Sequence, residues 1–89
     1  MKLIQSKPIA QLKRGDKIIV EGHALEVEDH YLFIDHKTTK EMIIELFNPK
    51  TNKEYQLRYF DDQVESSIEF YYLQEEFEYK RADVESISW

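Results

Sequence analysis

The sequence predicts an all-β fold, a small barrel of about five to seven short antiparallel strands. Apolar and polar residues alternate with a period of two through residues 41–47 and 54–60, the spacing of a strand with one buried face. Between them, Asn48-Pro49-Lys50-Thr51-Asn52-Lys53 has the composition of a hairpin turn. Tyr, Phe, Val and Ile fill the apolar positions while Gly occurs only twice, and such side chains suit a pleated, half-buried surface. Short strands in so few residues need a common core, which a closed or partly open barrel supplies while hiding its edges.

Each element follows from local chemistry. Lys7-Pro8-Ile9-Ala10-Gln11-Leu12 reads as an extended lead-in, because the residue before a proline is pushed out of the helical region. Lys13-Arg14-Gly15-Asp16 is a turn, with Gly15 free to take a positive φ. Lys17-Ile18-Ile19-Val20 is a short strand ended by Glu21-Gly22, a pair similar to the Asp-Gly hairpin signal. Residues 24–34 form one long strand whose alternation fails around Asp29-His30-Tyr31, where a bulge or bend is expected. Asp35-His36-Lys37-Thr38-Thr39-Lys40 is a polar loop.

Met42, Ile44 and Leu46 share one face of the next strand. On its partner Tyr55, Leu57 and Tyr59 point inward, with Glu54, Gln56 and Arg58 outside. After a turn at 61–67, Ile68-Glu69-Phe70-Tyr71-Tyr72-Leu73 is a strand. Gln74-Glu75-Glu76 reverses the chain, and Phe77-Glu78-Tyr79-Lys80 returns it. Val84, Ile87 and Trp89 close the chain as a short strand or a helical turn. Val20, Leu25, Val27, Ile44, Leu46, Leu57 and Phe70 are the expected core.

The 89 residues suffice for one modest core, so residues 1–89 read as a single domain ending in an acidic hairpin. The absence of cysteine excludes a disulfide framework and a thiolate metal site. No apolar run is long enough to span a bilayer as a helix, and the first residues lack the apolar stretch of a secretory signal. A soluble cytoplasmic protein with no membrane partner is the expectation. The net charge of −6 is unevenly spread. Residues 1–60 hold ten Lys or Arg against nine Asp or Glu, whereas residues 61–89 hold nine acids against Lys80 and Arg81. That last third repels phosphate backbones unless a separate basic face does the binding.

Catalytic and metal signatures are absent. His23, His30 and His36 have no standard zinc spacing and read as solvated loop residues. There is no nucleophile elbow, phosphate-binding Gly loop or dinucleotide fingerprint. The expectation is therefore no enzyme activity, no cofactor and no metal, and a binding role. Two surfaces compete for that role. Basic residues such as Lys13, Arg14, Lys17, Lys37, Lys40, Lys50, Lys53 and Arg58 lie in loops and outer faces, beside Tyr31 or Tyr55 as stacking platforms for RNA. The hairpin 66–80 carries large apolar groups on both strand faces, with Tyr71, Phe77, Glu75 and Glu76 as candidate partner-binding residues. A basic protein or a second copy of the chain fits that hairpin.

One resemblance adds to this reading. Leu12-Lys13-Arg14-Gly15-Asp16-Lys17-Ile18-Ile19-Val20-Glu21-Gly22 resembles the opening of the SH3-like (KOW-like) N-terminal domain of the elongation factor P family and its initiation-factor relatives. Asn48 and Thr51 fall where that family has the Asn and Thr of its Asn-x-x-Thr-Gly hairpin, and Lys53 matches a basic residue after it. The likeness covers residues 10–60. It implies an SH3-like barrel and a link to translation or RNA-associated assemblies, with RNA or the ribosome as partner. The same register places Lys37 where the family carries its modified lysine, at the tip of a Pro-Gly-Lys-Gly loop. Asp35, His36 and Thr38 stand in place of that proline and both glycines, so the expectation here is a differently shaped loop and an unmodified Lys37.

Overall fold

The computed structural model describes residues 1–89. Its strands are β1 (Lys2–Ile4), β2 (Lys17–Val20), β3 (His23–Asp35), β4 (Lys40–Phe47), β5 (Glu54–Phe60), β6 (Glu69–Glu75), β7 (Glu78–Ala82) and β8 (Ser86–Ser88). They form one eight-stranded sheet in the order β1-β8-β2-β3-β4-β5-β6-β7, curled into a half-barrel. The all-β, SH3-like barrel expectation is met, with eight strands rather than five to seven. One pair, β1 with β8, is parallel. These two three-residue strands are too short to show a period, and their pairing joins the two ends of the chain. The open question at the C-terminus is thus answered by a strand.

β3 runs for thirteen residues and belongs to both halves of the curl. Its first residues pair with β2 and the rest with β4. Register shifts between Val27 and Asp29 and between Leu32 and Ile34 mark two bulges, which bend a strand and sharpen its twist. The first falls at the edge of the stretch where alternation fails. At the β2–β3 turn Glu21 and Gly22 both adopt positive φ, 49° and 82°, the backbone of a type I′ hairpin whose twist matches the flanking strands.

All seven expected core residues are buried. Ile9, Leu12, Ile18, Tyr59, Ile68 and Ile87 join them in one cluster. Two local expectations give way to short helical turns. The lead-in at Lys7–Leu12 contains a 3-10 turn, Ile9–Gln11, which delivers Ile9 and Leu12 to the core. The turn after β5 contains a single helical turn, α1 (Val64–Ser67). Asp16 ties this lead-in to the sheet. Its carboxylate accepts from the Lys13 backbone N–H and from Lys7 Nζ, each at 3.0 Å. Those bonds, the backbone one foremost, hold its pKa down at about 2.

The expectation that Gln56 lies outside is wrong: it is 7% exposed. Ile43, on the same outer face of the sheet, is 2% exposed. This face is partly roofed by its own large side chains. Arg58 Nε and Nη2 donate to Gln56 Oε1 at 3.1 and 2.9 Å, and Tyr71 lies directly across from Gln56. Alternation distinguishes two faces of a strand but not how well each is covered.

Ile44 and Leu57 are opposite one another at the centre of the core, both fully buried. Truncating either to Ala is expected to cost about 2–5 kcal/mol, read from the shift in denaturant midpoint. A near-neutral result would remove that position from the core.

Candidate interaction surface

Strand pairing sorts the loops to two ends of the barrel. The β2–β3, β4–β5 and β6–β7 turns share one end, while the β3–β4 loop and the α1 connection share the other. Lys50 and Lys53 therefore lie far from Lys37 and Lys40, with the eight residues of β4, about 27 Å, between them. Lys37 and Lys40 therefore share no face with Lys50 and Lys53.

The β6–β7 hairpin contains one of the sheet's two edges, since β7 pairs only with β6. At its tip Phe77 is 90% exposed and holds a φ of 64°. A bulky residue in the left-handed region is held about 1–2 kcal/mol above its relaxed backbone. Glu75 and Glu78 stand directly opposite across this turn, a like-charge pair that also destabilises the hairpin. Folding within the chain repays neither cost, because Phe77 is almost free of the rest of the protein.

Tyr71 is not at the tip. It lies half-buried on the outer face, where the Arg58 guanidinium sits 4.1 Å from its ring centroid and 5.4 Å from that of Phe33. Glu69 anchors the same group, accepting from Tyr71 Oη at 3.3 Å and Arg81 Nη1 at 2.9 Å. Burial, reinforced by the Glu69 charge, pushes the Tyr71 phenol up. The structure thus brings Phe77, Glu75 and Glu76 together and sets Tyr71 apart, in a Phe33–Arg58–Tyr71 stack.

Lys37 occupies the tip of the β3–β4 loop with a φ of 73°, exposed and outside every ion pair. The loop holds its shape without glycine. Asp35 Oδ1 accepts from the Lys37 N–H at 2.9 Å, a local carboxylate turn. Asp61 bonds the backbone of Lys40 in both directions at 3.0 Å, and Thr39 donates to Asp62. His36 packs against Phe60 at 5.7 Å between ring centroids.

The histidines are not alike. His23 and His36 are exposed, but His30 is half-buried on β3, against the expectation of a solvated loop residue. Its Nδ1 lies 2.7 Å from the Leu12 carbonyl oxygen and its Nε2 2.7 Å from Tyr59 Oη. A carbonyl only accepts, so Nδ1 bears the hydrogen and donates to Leu12, while Nε2 pairs with the Tyr59 hydroxyl. The imidazole is a pin between the lead-in and β5. Only the failed alternation around His30 hinted at it. No group of three or more His, Cys, Asp or Glu side chains is placed to hold a metal ion.

An apolar cleft of about 250 Å³ opens at the β2–β3 end, lined by Leu25, Tyr55, Phe70 and Tyr72 together with Glu21 and Asp83. It is built from four separate parts of the chain and leaves no local sequence signal. Comparison with protein-family models, curated proteins and solved structures returns no match to this chain.

Two phenols report on this packing. Burial, and then the hydrogen bond from Tyr31 Oη to Glu45 Oε1 at 2.6 Å, push Tyr31 up to about 12. Burial, with a smaller effect from Asp61, pushes Tyr59 up to about 12. Both phenols stay protonated in the fold while an unfolded chain ionises near pH 10. Their stabilisation is therefore complete below pH ~10 and is lost as pH rises through about 12. Denaturant midpoints measured across this window should fall less steeply for Tyr31→Phe and Tyr59→Phe than for the parent. An unchanged slope in both would place these phenols in solvent.

Proposed function

We propose that the chain is a non-catalytic, cytoplasmic binding module that docks on a basic protein through the tip of its β6–β7 hairpin. Phe77 carries the reading: an aromatic side chain 90% exposed, in a strained backbone conformation, within a fringe of Glu75, Glu76 and Glu78. Strain that the fold does not repay is a pointer to function, and Gly at this position would relieve it. An apolar anchor inside a charged rim is the anatomy of an interface centre. The acidic rim would speed encounter with a basic partner and make it salt-sensitive, while the ring would set residence time. The charge of the last third favours such a partner over nucleic acid.

A second reading follows from the resemblance to the elongation factor P family. It links the module to translation or another RNA-associated assembly, and the exposed Lys37 at a loop tip favours it. The separation of Lys37 and Lys40 from Lys50 and Lys53 weighs on the other side, since counterion release rewards cations gathered along one backbone.

Capture of partners from the native host's lysate, followed by titration of the captured protein, separates the two. Phe77→Ala is expected to weaken association by about tenfold or more, with Lys37→Ala close to the parent. Phe77→Gly should weaken it similarly while raising stability by about 1 kcal/mol. Equal association for all three variants would sink the hairpin reading. Intact-mass measurement on host-derived protein should find Lys37 unmodified; an increment mapped to Lys37 would favour the translation reading instead.

A further inference from the structure

Tyr72 is anomalous among the residues of the inner face. It lies across from Tyr55 on β5 and from Lys80 on β7, on the side that carries Phe70 and Leu57, yet it is 37% exposed. The cause is the cleft of about 250 Å³, which interrupts the core between the β2–β3 turn and the segment leaving β7. Tyr55 and Phe70 stack at 5.4 Å between centroids, 22° from parallel, and Tyr72 joins them along one wall. Leu25 and Val84 also line the cleft. Glu21 and Asp83 are its only charged lining residues, accompanied by His23, and no Lys or Arg lines it. Lys80 is exposed and outside the lining.

From this we infer that the cleft is a recognition site for an alkylated ammonium cation, presented as a modified lysine side chain of a protein partner. Aromatic rings attract a cation through their quadrupoles, and the two carboxylates of the lining favour the same sign of charge. An apolar wall selects a weakly hydrated, alkyl-substituted cation, which loses little on leaving water, over a bare ammonium. The volume of about 250 Å³ accommodates one long alkylated side chain and lies below the ~300–1,000 Å³ of pockets for drug-sized ligands. The chain already uses this chemistry on its opposite face, where Arg58 rests 4.1 Å over Tyr71. Insertion of Phe77 from a second copy is disfavoured, because Glu75, Glu76 and Glu78 would meet Glu21 and Asp83. The occupant rests on the proposed basic partner, but the site stands on the cleft alone.

Titration of the isotope-labelled full chain with choline, and with its uncharged tert-butyl isostere, followed by amide resonances, tests it. Choline is expected to shift Leu25, Tyr72 and Val84 saturably, with the isostere about tenfold weaker or more. Tyr72→Ala and Asp83→Asn should each weaken choline severalfold, and Phe77→Ala should leave it unchanged. Asp83, in the exposed segment after β7, keeps the test usable if Tyr72→Ala fails to fold. Equal binding of the isostere would reduce the site to an apolar hole, and the absence of saturable shifts would remove it; either result overturns the inference. A blocked trimethyllysine amide should bind at least as well as choline. Choline binding without it would assign the cleft to a free small cation and overturn the partner side chain as occupant. Loss of partner capture in Phe77→Ala with choline binding intact separates the hairpin reading from this one.

Discussion

Everything in this fold depends on the bending of β3. A flat thirteen-residue strand would pair with β2 and β4 side by side and leave an open sheet with a solvated face. The two bulges divide it, so that its first residues build one wall with β2 and the remainder builds the other with β4 and β5. Val27 and Leu25 then face Ile44, Leu46 and Leu57 across a shared interior. The β2–β3 turn fixes where this begins, because the two left-handed residues Glu21 and Gly22 set the register of the β2–β3 pairing.

Closure of the other wall comes from the chain ends. β8 inserts between β1 and β2 and brings Ile87 to full burial. Trp89 Nε1 then donates to the Lys7 carbonyl at 2.8 Å, and Lys7 reaches on to Asp16. These contacts tie the first and last residues to the lead-in, so that both termini are structural. The N-terminal lead-in in turn receives His30, whose bonds to Leu12 and Tyr59 span from the 3-10 turn to β5. A curled sheet with free edges is thereby stitched at three places by polar groups that are all satisfied, and no buried side-chain polar atom lacks a partner.

The β6–β7 hairpin is the exception to this economy. Its strands are covered on the outer side by Arg58 and on the inner side by Tyr55, yet its tip is strained, like-charged and bare. Beside it the core opens into the aromatic cleft instead of closing. Both features sit at the same end of the barrel, away from Lys37 and the well-bonded Asp61–Asp62 loop support. The proposed hairpin contact and the proposed cation site would therefore face one partner together.

Much of the fold is legible in the sequence because the signals are local. Period-two alternation names the core positions of β4 and β5, Glu21-Gly22 marks a two-residue turn, and the acid-rich reversal read at 74–76 lies one residue before the turn at Glu76-Phe77. Phe77, read from the sequence as the first residue of the returning strand, lies instead in the turn between Glu75 and Glu78, where no neighbour buries it. What tertiary structure decided are matters of long-range contact. Gln56 and Ile43 are covered on a face whose alternation reads as outer, because Tyr71 of β6 and the Arg58 side chain roof it. His30 is a pin rather than a solvated ring, because Leu12 and Tyr59 meet it from eighteen and twenty-nine residues away. The cleft joins Leu25, Tyr72 and Val84, which no spacing links. A sequence records which way each side chain points from its own strand; only the closed curl decides what stands on the other side.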